Sequence, residues 1–344
     1  MTKETLQAFI GTWLPRLEEE MRRTLDCSEP ALEPFYGMMG YHLGWRNAAL
    51  EPERLPAGKR LRPMLCLLAC AEAGGDPFDA LPAAAAIELL HNFSLIHDDV
   101  EDGDETRRHR ATVWAVWGVP QAINAGDGMF ALSFRVLQRL RGIGVDERVV
   151  LDVLAHFTTT CLELTEGQYL DMRFEARDDV TVEEYLRMIS GKTAALIGAA
   201  LAIGARIGGA SLEQVEDLRQ FGRSIGLTFQ IQDDILGIWG DPAMTGKAAG
   251  NDILRRKKSL PLLYALNHPH AGPHLHEFFV EPPSPQDVPD VMALLDEAGA
   301  RAYAEGELLR LHEEGVIALA RGLGDNARQS ALYGLAEGML QREA

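Results

Sequence analysis

Apolar side chains recur along most of the chain with the three- and four-residue spacing of α-helices. Near the N-terminus, one face of a single helix would carry Leu6, Phe9, Ile10, Trp13 and Leu17. Alternation of apolar and polar residues, which is typical of strands, is scarce, whereas Ala, Leu, Glu and Arg are abundant. The pattern therefore predicts an all-α protein.

Turn signals divide this pattern into a succession of predicted helices. Gly118, Val119 and Pro120 predict a bend, and Thr181, followed by two glutamates, is a predicted N-cap. The predicted helices are Thr5–Leu25, Pro30–Ala49, Pro63–Ala73, Leu81–Asp102, Val113–Arg141, Asp146–Phe174, one that starts at Thr181 and carries the small residues of Ala194–Ala210, Ser211–Leu236, and further helices over 291–340. The C-terminal part of the chain begins at Pro261–Leu266.

Two stretches between these helices are predicted to be irregular. Residues 237–250 are rich in glycine and predict a loop, and residues 267–290 are rich in Pro and His and predict a long connection. We find no repeat of fixed period. The prediction is one domain over residues 1–344, with a C-terminal helical extension over about 290–344.

Composition narrows the class of protein. The chain has 344 residues, 47% of them hydrophobic and 24% charged, as in ordinary globular proteins. A net charge of −18 argues against a general nucleic-acid-binding protein, because phosphate backbones require a basic surface. Four cysteines without a CxxC pair predict core residues in a reducing compartment. The start lacks an apolar signal core and no uncharged run reaches the roughly 18 residues of a membrane helix, so we expect a cytoplasmic protein without a membrane span.

The stretch LLHNFSLIHDDVEDGDETRRHR (89–110) begins as an apolar helix and ends in aspartates. Asp98 and Asp102 are four residues apart, so a helix places both carboxylates on one face, where a cation relieves their repulsion. Such hard oxygen ligands suit Mg²⁺, with water and phosphate completing its shell. A second apolar helix ends similarly at Asp233 and Asp234. Two ends of matching form predict that they face each other across a cavity and hold several cations.

Basic residues accompany both acidic ends. The segment GKRLRP (58–63) lies at a predicted helix start, where backbone N–H groups favour an anion. Further cations are Arg107, Arg108, Lys192, Lys247 and Lys257. Arginine's planar fork and lysine's compact charge both suit phosphate oxygens. The set indicates bound polyanionic groups.

These motifs, taken in order over about residues 58–266, resemble those of the trans-prenyltransferases of the polyprenyl synthetase family. The motifs are GKRLRP (58–63), HNFSLIHDDVED (91–102), the arginine pair at 107–108, EGQYLDM (166–172), GKTA (191–194), FQIQDD (229–234), GKAAGND (246–252) and KKSLP (257–261). The resemblance implies an all-α, isoprenoid synthase-type helical bundle around a central cavity with two aspartate-rich walls. It also implies Mg²⁺-dependent head-to-tail condensation of isopentenyl diphosphate with an allylic diphosphate, in a homodimer.

The same resemblance implies a role for each motif residue. In the metal site, Asp98 and Asp102 would bind Mg²⁺ with Asp99 in support, and Asp233 would bind a further ion with Asp234 and Asp241 near it, for three Mg²⁺ ions per active site. Isopentenyl diphosphate would be bound by Lys59, Arg62, His91 and Arg108, and the allylic diphosphate by Arg107, Lys192, Lys247 and Lys257. Thr193 and Gln230 would face the developing allylic cation, and Lys192 also counts among the catalytic residues.

Two features of the motifs bear on metal binding and product length. The third aspartate that is frequent in the family's second motif is Gly237 here, which removes one carboxylate. The resemblance implies that Phe93 and Ser94, five and four residues before Asp98, form the floor under the growing chain. An aromatic side chain there would block several methylene groups. We therefore expect a C20 product, geranylgeranyl diphosphate, with C15 farnesyl diphosphate or longer chains as alternatives.

Two other functions share this fold. A class I terpene cyclase would have the first aspartate motif, but it has no use for the GKRLRP site, and we find no NSE- or DTE-type second motif. The non-catalytic subunit of a hetero-oligomeric prenyl synthase characteristically loses one or both aspartate motifs, whereas this chain keeps both apart from Gly237. Activity of the purified chain separates these alternatives.

Overall fold

A computed structural model of the chain describes residues 3–241, 250–278, 280 and 283–340. Helices make up most of this part and its only strands are two residues long, so the all-α prediction is confirmed. The elements are α1 (Lys3–Thr24), α2 (Glu33–His42), α3 (Leu61–Glu72), α4 (Leu81–Glu101), β1 (Thr106–Arg107), β2 (Arg110–Ala111), α5 (Val113–Trp117), α6 (Val119–Leu137), α7 (Arg139–Gly142), α8 (Glu147–Glu175), α9 (Val182–Ile189), a π-helical turn (Ser190–Ala194), α10 (Ala195–Ile207), α11 (Leu212–Trp239), α12 (Asn251–Leu254), α13 (Leu260–Leu266), α14 (Ala271–Phe278), α15 (Val288–Glu297), α16 (Ala300–Leu323), a 3-10 helix (Gly324–Gln329) and α17 (Ala331–Leu340).

Local signals place several of these boundaries. Thr181 caps α9 in a capping box, since its Oγ1 accepts from the Glu184 N–H and the Glu184 carboxylate accepts from the Thr181 N–H. The predicted bend at Gly118 is a full break, because its φ of 83° ends α5 before α6 begins. The predicted connection over 267–290 is wrong in part, because α14 lies within it and buries Ala271 and Leu275.

The chain forms two compact units, Met1–Thr158 with Ala200–Val215, and Thr159–Ala199 with Glu216–Ala344. In the first unit, α4 is central and packs against α1, α3 and α6. The first part of α4, from Leu81 to Leu90, is buried on all sides. A Cβ built at Gly204 would lie 2.0 Å from the carbonyl oxygen of Cys66, so α10 touches α3 backbone to backbone. The small residues of Ala194–Ala210 thus allow close contact between two helices.

The second unit contains two hydrophobic clusters. One is built from α9, α11, α13 and α16 and includes Tyr185, Ile231 and Leu263. The other joins the end of α11 to α12–α16 and includes Ile238 and Leu295. The single-domain organisation stays a prediction.

Burial accounts for three of the four cysteines and for the most apolar helical stretch. Cys66, Cys70 and Cys161 are buried thiols, and burial raises the pKa of Cys70 to about 12. Cys27 is only partly buried, so the predicted core position is wrong for this residue. Among the described helices, Val182–Ile207 is long and apolar enough to span a membrane, and 78% of its most apolar window is buried inside the protein. Burial of this kind is typical of a core helix.

Candidate active site

The first acidic cluster lies at the C-terminal end of α4, in the first unit. The backbone N–H of Asp102 donates to the carbonyl oxygen of Asp98, so the two residues lie one helical turn apart. The Asp98 side chain is 17% exposed and Asp102 is exposed. Both carboxylates can therefore reach a ligand at the helix end.

Asp99 has a different environment. Its side chain is 2% exposed, and Oδ1 accepts from Nε of Arg107 at 2.5 Å. Burial raises the pKa of Asp99 to about 6, while Arg107 acts in the opposite direction. The geometry argues against direct metal ligation by Asp99 and favours a role in holding Arg107.

Arg107 and Arg108 lie on the β1–β2 hairpin. The pair Arg107–Arg110 closes a two-residue turn in which Arg108 and His109 have φ values of 53° and 63°. Two positive φ values in succession define a type I′ turn, which favours Asn and Gly. Arg110 anchors the hairpin by donating from Nη1 to the carbonyl oxygen of Tyr41 at 2.9 Å. The hairpin thereby carries cations beside the acidic helix end.

The predicted isopentenyl diphosphate residues gather around the start of α3, also in the first unit. Nη1 of Arg62 lies 3.3 Å from Nε2 of His91. Burial, then the charges of Arg62 and Arg108, lowers the pKa of His91 well below 6.5, so the neutral ring accepts at Nε2. A Cβ at Gly58 would lie 2.8 Å from Nη2 of Arg108, and Lys59 is exposed. The structure thus places Arg108 close to the GKRLRP segment.

Two guanidinium donors in this group are buried without a hydrogen-bond partner among the described residues. They are Nε of Arg62 and Nη1 of Arg108. Unpaired buried charged donors are costly, and an anionic oxygen would satisfy both. The donor chemistry at this place therefore suits an anionic ligand.

Arg60, between Lys59 and Arg62, is a residue that the sequence analysis missed. It is 3% exposed, adopts a φ of 51°, and donates to Glu18 and Glu88 at 2.8 Å each. The ion pairs fix the start of α3 at a non-glycine left-handed position. The available signal was Glu88, the one charged residue in the apolar first half of α4.

The second acidic cluster lies near the C-terminal end of α11, in the second unit. Asp233 is partly buried, whereas Asp234 is fully buried. Asp234 accepts hydrogen bonds from the Tyr185 hydroxyl, the Gln230 amide, Lys257 Nζ and the Leu260 N–H. Four protein donors leave this carboxylate little capacity for metal, so the geometry favours Asp233 as the ligand and Asp234 as an internal anchor.

The predicted catalytic residues Thr193 and Gln230 contact each other in this unit. The Thr193 hydroxyl donates to Oε1 of Gln230 at 3.2 Å, and Nε2 of Gln230 donates to Oδ1 of Asp234 at 3.2 Å. These two hydrogen bonds fix the orientation of the Gln230 amide. A hydroxyl that donates its proton away turns its lone pairs outward, which suits stabilisation of a nearby cation.

Lys192 lies in the π-helical turn beside Thr193. Its Nζ donates to Oδ2 of Asp171 at 2.5 Å, which brings the EGQYLDM motif to the GKTA motif. A Cβ at Gly167 would lie 2.2 Å from the Lys192 backbone nitrogen, so only glycine permits this approach of α8. π-Turns occur frequently at functional sites, and this one exposes Lys192 in part.

The remaining predicted residues differ in what the structure says of them. Lys247 lies outside the described residues. The Phe93 ring lies 4.9 Å from Phe130 and begins a row of aromatic rings in the first unit. The Ser94 hydroxyl donates to the carbonyl oxygen of His91 at 2.9 Å, within α4.

Comparisons with known proteins agree with the resemblance that these motifs show. The sequence profile of the family described as polyprenyl synthetase matches residues 45–296. The chain belongs to the polyprenyl synthetase family. It is accordingly an enzyme, a prenyltransferase, as the resemblance implies.

Individual members of the polyprenyl synthetase family resemble the chain over nearly its full length. A geranylgeranyl diphosphate synthase of Mycobacterium tuberculosis is 41% identical and is matched over 99% of this chain and 93% of its own. A (2E,6E)-farnesyl diphosphate synthase of the same species is 39% identical over 100% and 95%. The crystal structure of a geranylgeranyl pyrophosphate synthetase from Pyrococcus horikoshii has a TM-score of 0.87 and 34% identity, with 99% of both chains covered. The isoprenoid synthase fold is thus confirmed.

Proposed function

We propose that the chain condenses isopentenyl diphosphate with an allylic diphosphate and yields all-trans geranylgeranyl diphosphate, C20. Support for this product comes from the relative named for it and from Phe93, the aromatic residue that the resemblance assigns to the floor, whose ring packs against Phe130. The relative named farnesyl diphosphate synthase supports a C15 product as the second candidate.

The observation that carries the proposal is the pair of unpaired, buried guanidinium donors on Arg62 and Arg108. They lie beside neutral His91, whose Nε2 accepts from Arg62 and whose Nδ1–H is then a further donor. Exposed Lys59 adds a mobile charge. Such a set binds the diphosphate of a substrate that does not ionise, and we assign it to isopentenyl diphosphate.

The donor chemistry of the acidic cluster on α4 fits Mg²⁺. Among the described residues, no group of three or more His, Cys, Asp or Glu side chains forms a metal cage. Mg²⁺ is commonly bound through one or two carboxylates together with substrate phosphates, and Asp98 and Asp102 supply such a pair. We assign metal binding to Asp98, Asp102 and Asp233, with three ions per active site, and positioning roles to Asp99 and Asp234.

The roles of the other residues follow from their charges and contacts. Mg²⁺ held by Asp98, Asp102 and Asp233 would supply positive charge that neutralises the allylic diphosphate and favours ionisation of its C–O bond. Arg107, Lys192 and Lys257 stabilise the same leaving group, and Lys247 is assigned with them. Thr193 and Gln230 direct oxygen lone pairs to the allylic cation. The double bond of isopentenyl diphosphate attacks this cation, and the released pyrophosphate takes the proton that is then lost.

The assembly and location that we propose are a homodimer in the cytoplasm. Exposed apolar side chains on α8, such as Leu151, Leu162 and Tyr169, support an interface along that helix. Sedimentation of the purified chain tests the dimer.

The test is an elongation assay with the full chain. Purified protein receives isopentenyl diphosphate, Mg²⁺ and dimethylallyl, geranyl or farnesyl diphosphate, and the dephosphorylated products are sized by chromatography. A C20 alcohol supports the proposal, and a C15 alcohol favours the second candidate. Absence of elongation would favour the non-catalytic subunit, and a cyclic hydrocarbon would favour a terpene cyclase.

A matched pair of variants tests the isopentenyl diphosphate site. Arg62→Gln should raise the KM for isopentenyl diphosphate by about tenfold or more, because a charged hydrogen bond is lost. Arg54→Gln removes an exposed arginine eight residues earlier and should leave this KM unchanged. Equal effects of the two variants would contradict the assignment.

A further inference from the structure

Gly237 stands where the family's second motif often has a third aspartate. A Cβ built at Gly237 would lie 2.2 Å from Oδ2 and 2.9 Å from Oδ1 of Asp252. Real Cβ atoms do not approach other atoms so closely, so the Asp252 carboxylate fills the space that a side chain at 237 would need. A carboxylate is thus present at this place, but it comes from a different segment of the chain.

The backbone around Asp252 fixes it there. Gly250, with a φ of 72°, precedes α12, and its N–H donates to the carbonyl oxygen of Ile238 at 3.0 Å. This hydrogen bond ties the start of α12 to the end of α11. Asp252 itself is 6% exposed, so its carboxylate is held against the helix and not in solvent.

Among the described residues, Lys257 forms an ion pair with Asp252. Its Nζ lies 3.4 Å from Oδ2 of Asp252 and 3.2 Å from Oδ1 of Asp234. The Lys257 N–H also donates to the carbonyl oxygen of Asp252 at 2.9 Å. Burial lowers the pKa of Lys257, but the two carboxylates outweigh it and raise the pKa well above 10.5.

The two carboxylates differ in how far they depend on this lysine. Asp234 has three other donors, from Tyr185, Gln230 and Leu260, and stays fixed without Lys257. An ammonium has three N–H groups, and two of those of Lys257 point to Asp234 and Asp252. The Lys257 side chain is 44% exposed, so the third can reach a ligand in solvent.

We propose that Asp252 is the positioning residue for Lys257, and that glycine at 237 is required because it leaves room for the Asp252 carboxylate. The inference rests on the proposed function for the role of Lys257 in binding the allylic diphosphate. The absence of a carboxylate at Gly237 is therefore compensated by the carboxylate of Asp252. The two residues depend on each other, because Asp252 occupies the space that glycine leaves.

A double-mutant cycle tests the pair. Gly237→Ala, Asp252→Ala and the double variant are compared in two readouts. One is competitive acetylation of the Lys257 amine, measured by mass spectrometry in the full chain without substrate. The other is steady-state kinetics with the allylic diphosphate.

Each single variant should raise Lys257 acetylation about tenfold, because Asp252→Ala removes the adjacent carboxylate and Gly237→Ala displaces it from Lys257. The KM for the allylic diphosphate should rise more than kcat falls. The double variant should match Asp252→Ala, because the added methyl acts only by displacing the carboxylate. Gly237→Asp combined with Asp252→Ala returns a carboxylate to the same place and should recover most of the acetylation protection.

Controls separate this outcome from general damage. Gly306→Ala changes a helical glycine with no atom within 4 Å of its Cβ and should alter neither readout. Asp252→Asn keeps the volume and removes the charge, so it serves if Asp252→Ala fails to fold. Additive effects in the cycle, or unchanged acetylation in Gly237→Ala and Asp252→Asn, would overturn the inference. Acetylation needs no catalysis, so a parent chain without elongation activity would count against the proposed function alone.

Discussion

Nε of Arg107 lies 2.5 Å from Oδ1 of Asp99, and Nη2 of the same guanidinium lies 3.4 Å from Oδ2 of Asp98. One arginine thus joins two neighbouring carboxylates, of which Asp99 is buried and Asp98 is 17% exposed. The two aspartates of this pair therefore have different tasks. Asp99 holds the arginine, and Asp98 is the residue to which we assign metal binding.

This difference predicts different effects of removing each charge. Asp98→Asn should raise the Mg²⁺ concentration for half-maximal activity and lower kcat by about 100-fold, as for a lost electrostatic contact in a transition state. Asp99→Asn should raise the KM for the allylic diphosphate about tenfold, because Arg107 loses its ionic anchor. Kinetics at varied Mg²⁺ separate the two. A larger shift in Mg²⁺ requirement for Asp99→Asn would contradict the assignment.

Phe93 predicts how product length responds to mutation. Its ring begins a row in which Phe93, Phe130, Phe134 and Phe157 follow one another at 4.9, 5.3 and 5.1 Å. Phe93→Ala should lengthen the main product by one isoprene unit, and Phe93→Ala with Phe130→Ala should lengthen it further, because the second ring still blocks the chain in the single variant. Product sizing by chromatography measures both.

The control for product length is Phe78→Ala, which removes an aromatic ring that is 52% exposed. It should leave the product distribution unchanged. If Phe93→Ala and the parent gave the same products, the floor assignment would be wrong.

The positions of the helices and motifs could be predicted from the sequence. The burial and contacts of individual side chains within a motif could not. Helical spacing placed α4, and residue spacing put Asp98 and Asp102 on one face. The supporting role of Asp99 came only from the resemblance to the family. The residue pattern HDDVED alone does not distinguish Asp98 from Asp99, because burial of Asp99 depends on the β1–β2 hairpin folding back with Arg107. The same holds for Asp233 and Asp234, whose difference is set by Tyr185 and Lys257 from other segments.

A residue that is distant in sequence and fills the place of a motif side chain is harder still to predict. In the sequence, Gly237 indicates only that a carboxylate is missing from the second motif. The fold of residues 250–252 brings the Asp252 carboxylate to this position. The helix α14 was missed because Pro and His dominate its surroundings, while its apolar positions Ala271 and Leu275 are few. The aromatic row was partly visible, since Phe130 and Phe134 are four residues apart on one helix.

At Gly204 we expect the stability of the fold to depend on the absence of a side chain. Its Cβ would lie 2.0 Å from the backbone oxygen of Cys66, which cannot move without shifting α3. Gly204→Ala should lower the free energy of unfolding by about 1–3 kcal/mol or more. Gly11→Ala, at a helical glycine of α1 with no neighbour within 4 Å, should raise it by about 0.5–1 kcal/mol. Denaturant unfolding compares the two, and a loss at both positions would contradict the packing argument.

His42 predicts a pH dependence of stability. Its side chain is buried at the end of α2, and Nε2 has no hydrogen-bond partner among the described residues. Burial, then the charges of Arg108 and Arg107, lowers its pKa well below 6.5. Above pH 6.5 the imidazole is neutral in both the folded and unfolded states, so it adds no pH dependence. Below pH 6.5 only the unfolded state takes up the proton, so stability falls as the pH falls.

The expected contribution of His42 is a loss of up to about 1.4 kcal/mol per pH unit between pH 6 and 5, the value for one proton bound by the unfolded state alone. His42→Gln removes this term, so the parent should lose stability more steeply than the variant below pH 6.5 and in parallel with it above pH 7. Denaturant unfolding at half-unit pH steps gives the difference between the two curves. His274→Gln, at an exposed histidine of α14, controls for loss of an imidazole as such. Parallel curves for parent and His42→Gln throughout this range would mean that His42 is protonated in the folded protein, where the arginines around it oppose that charge.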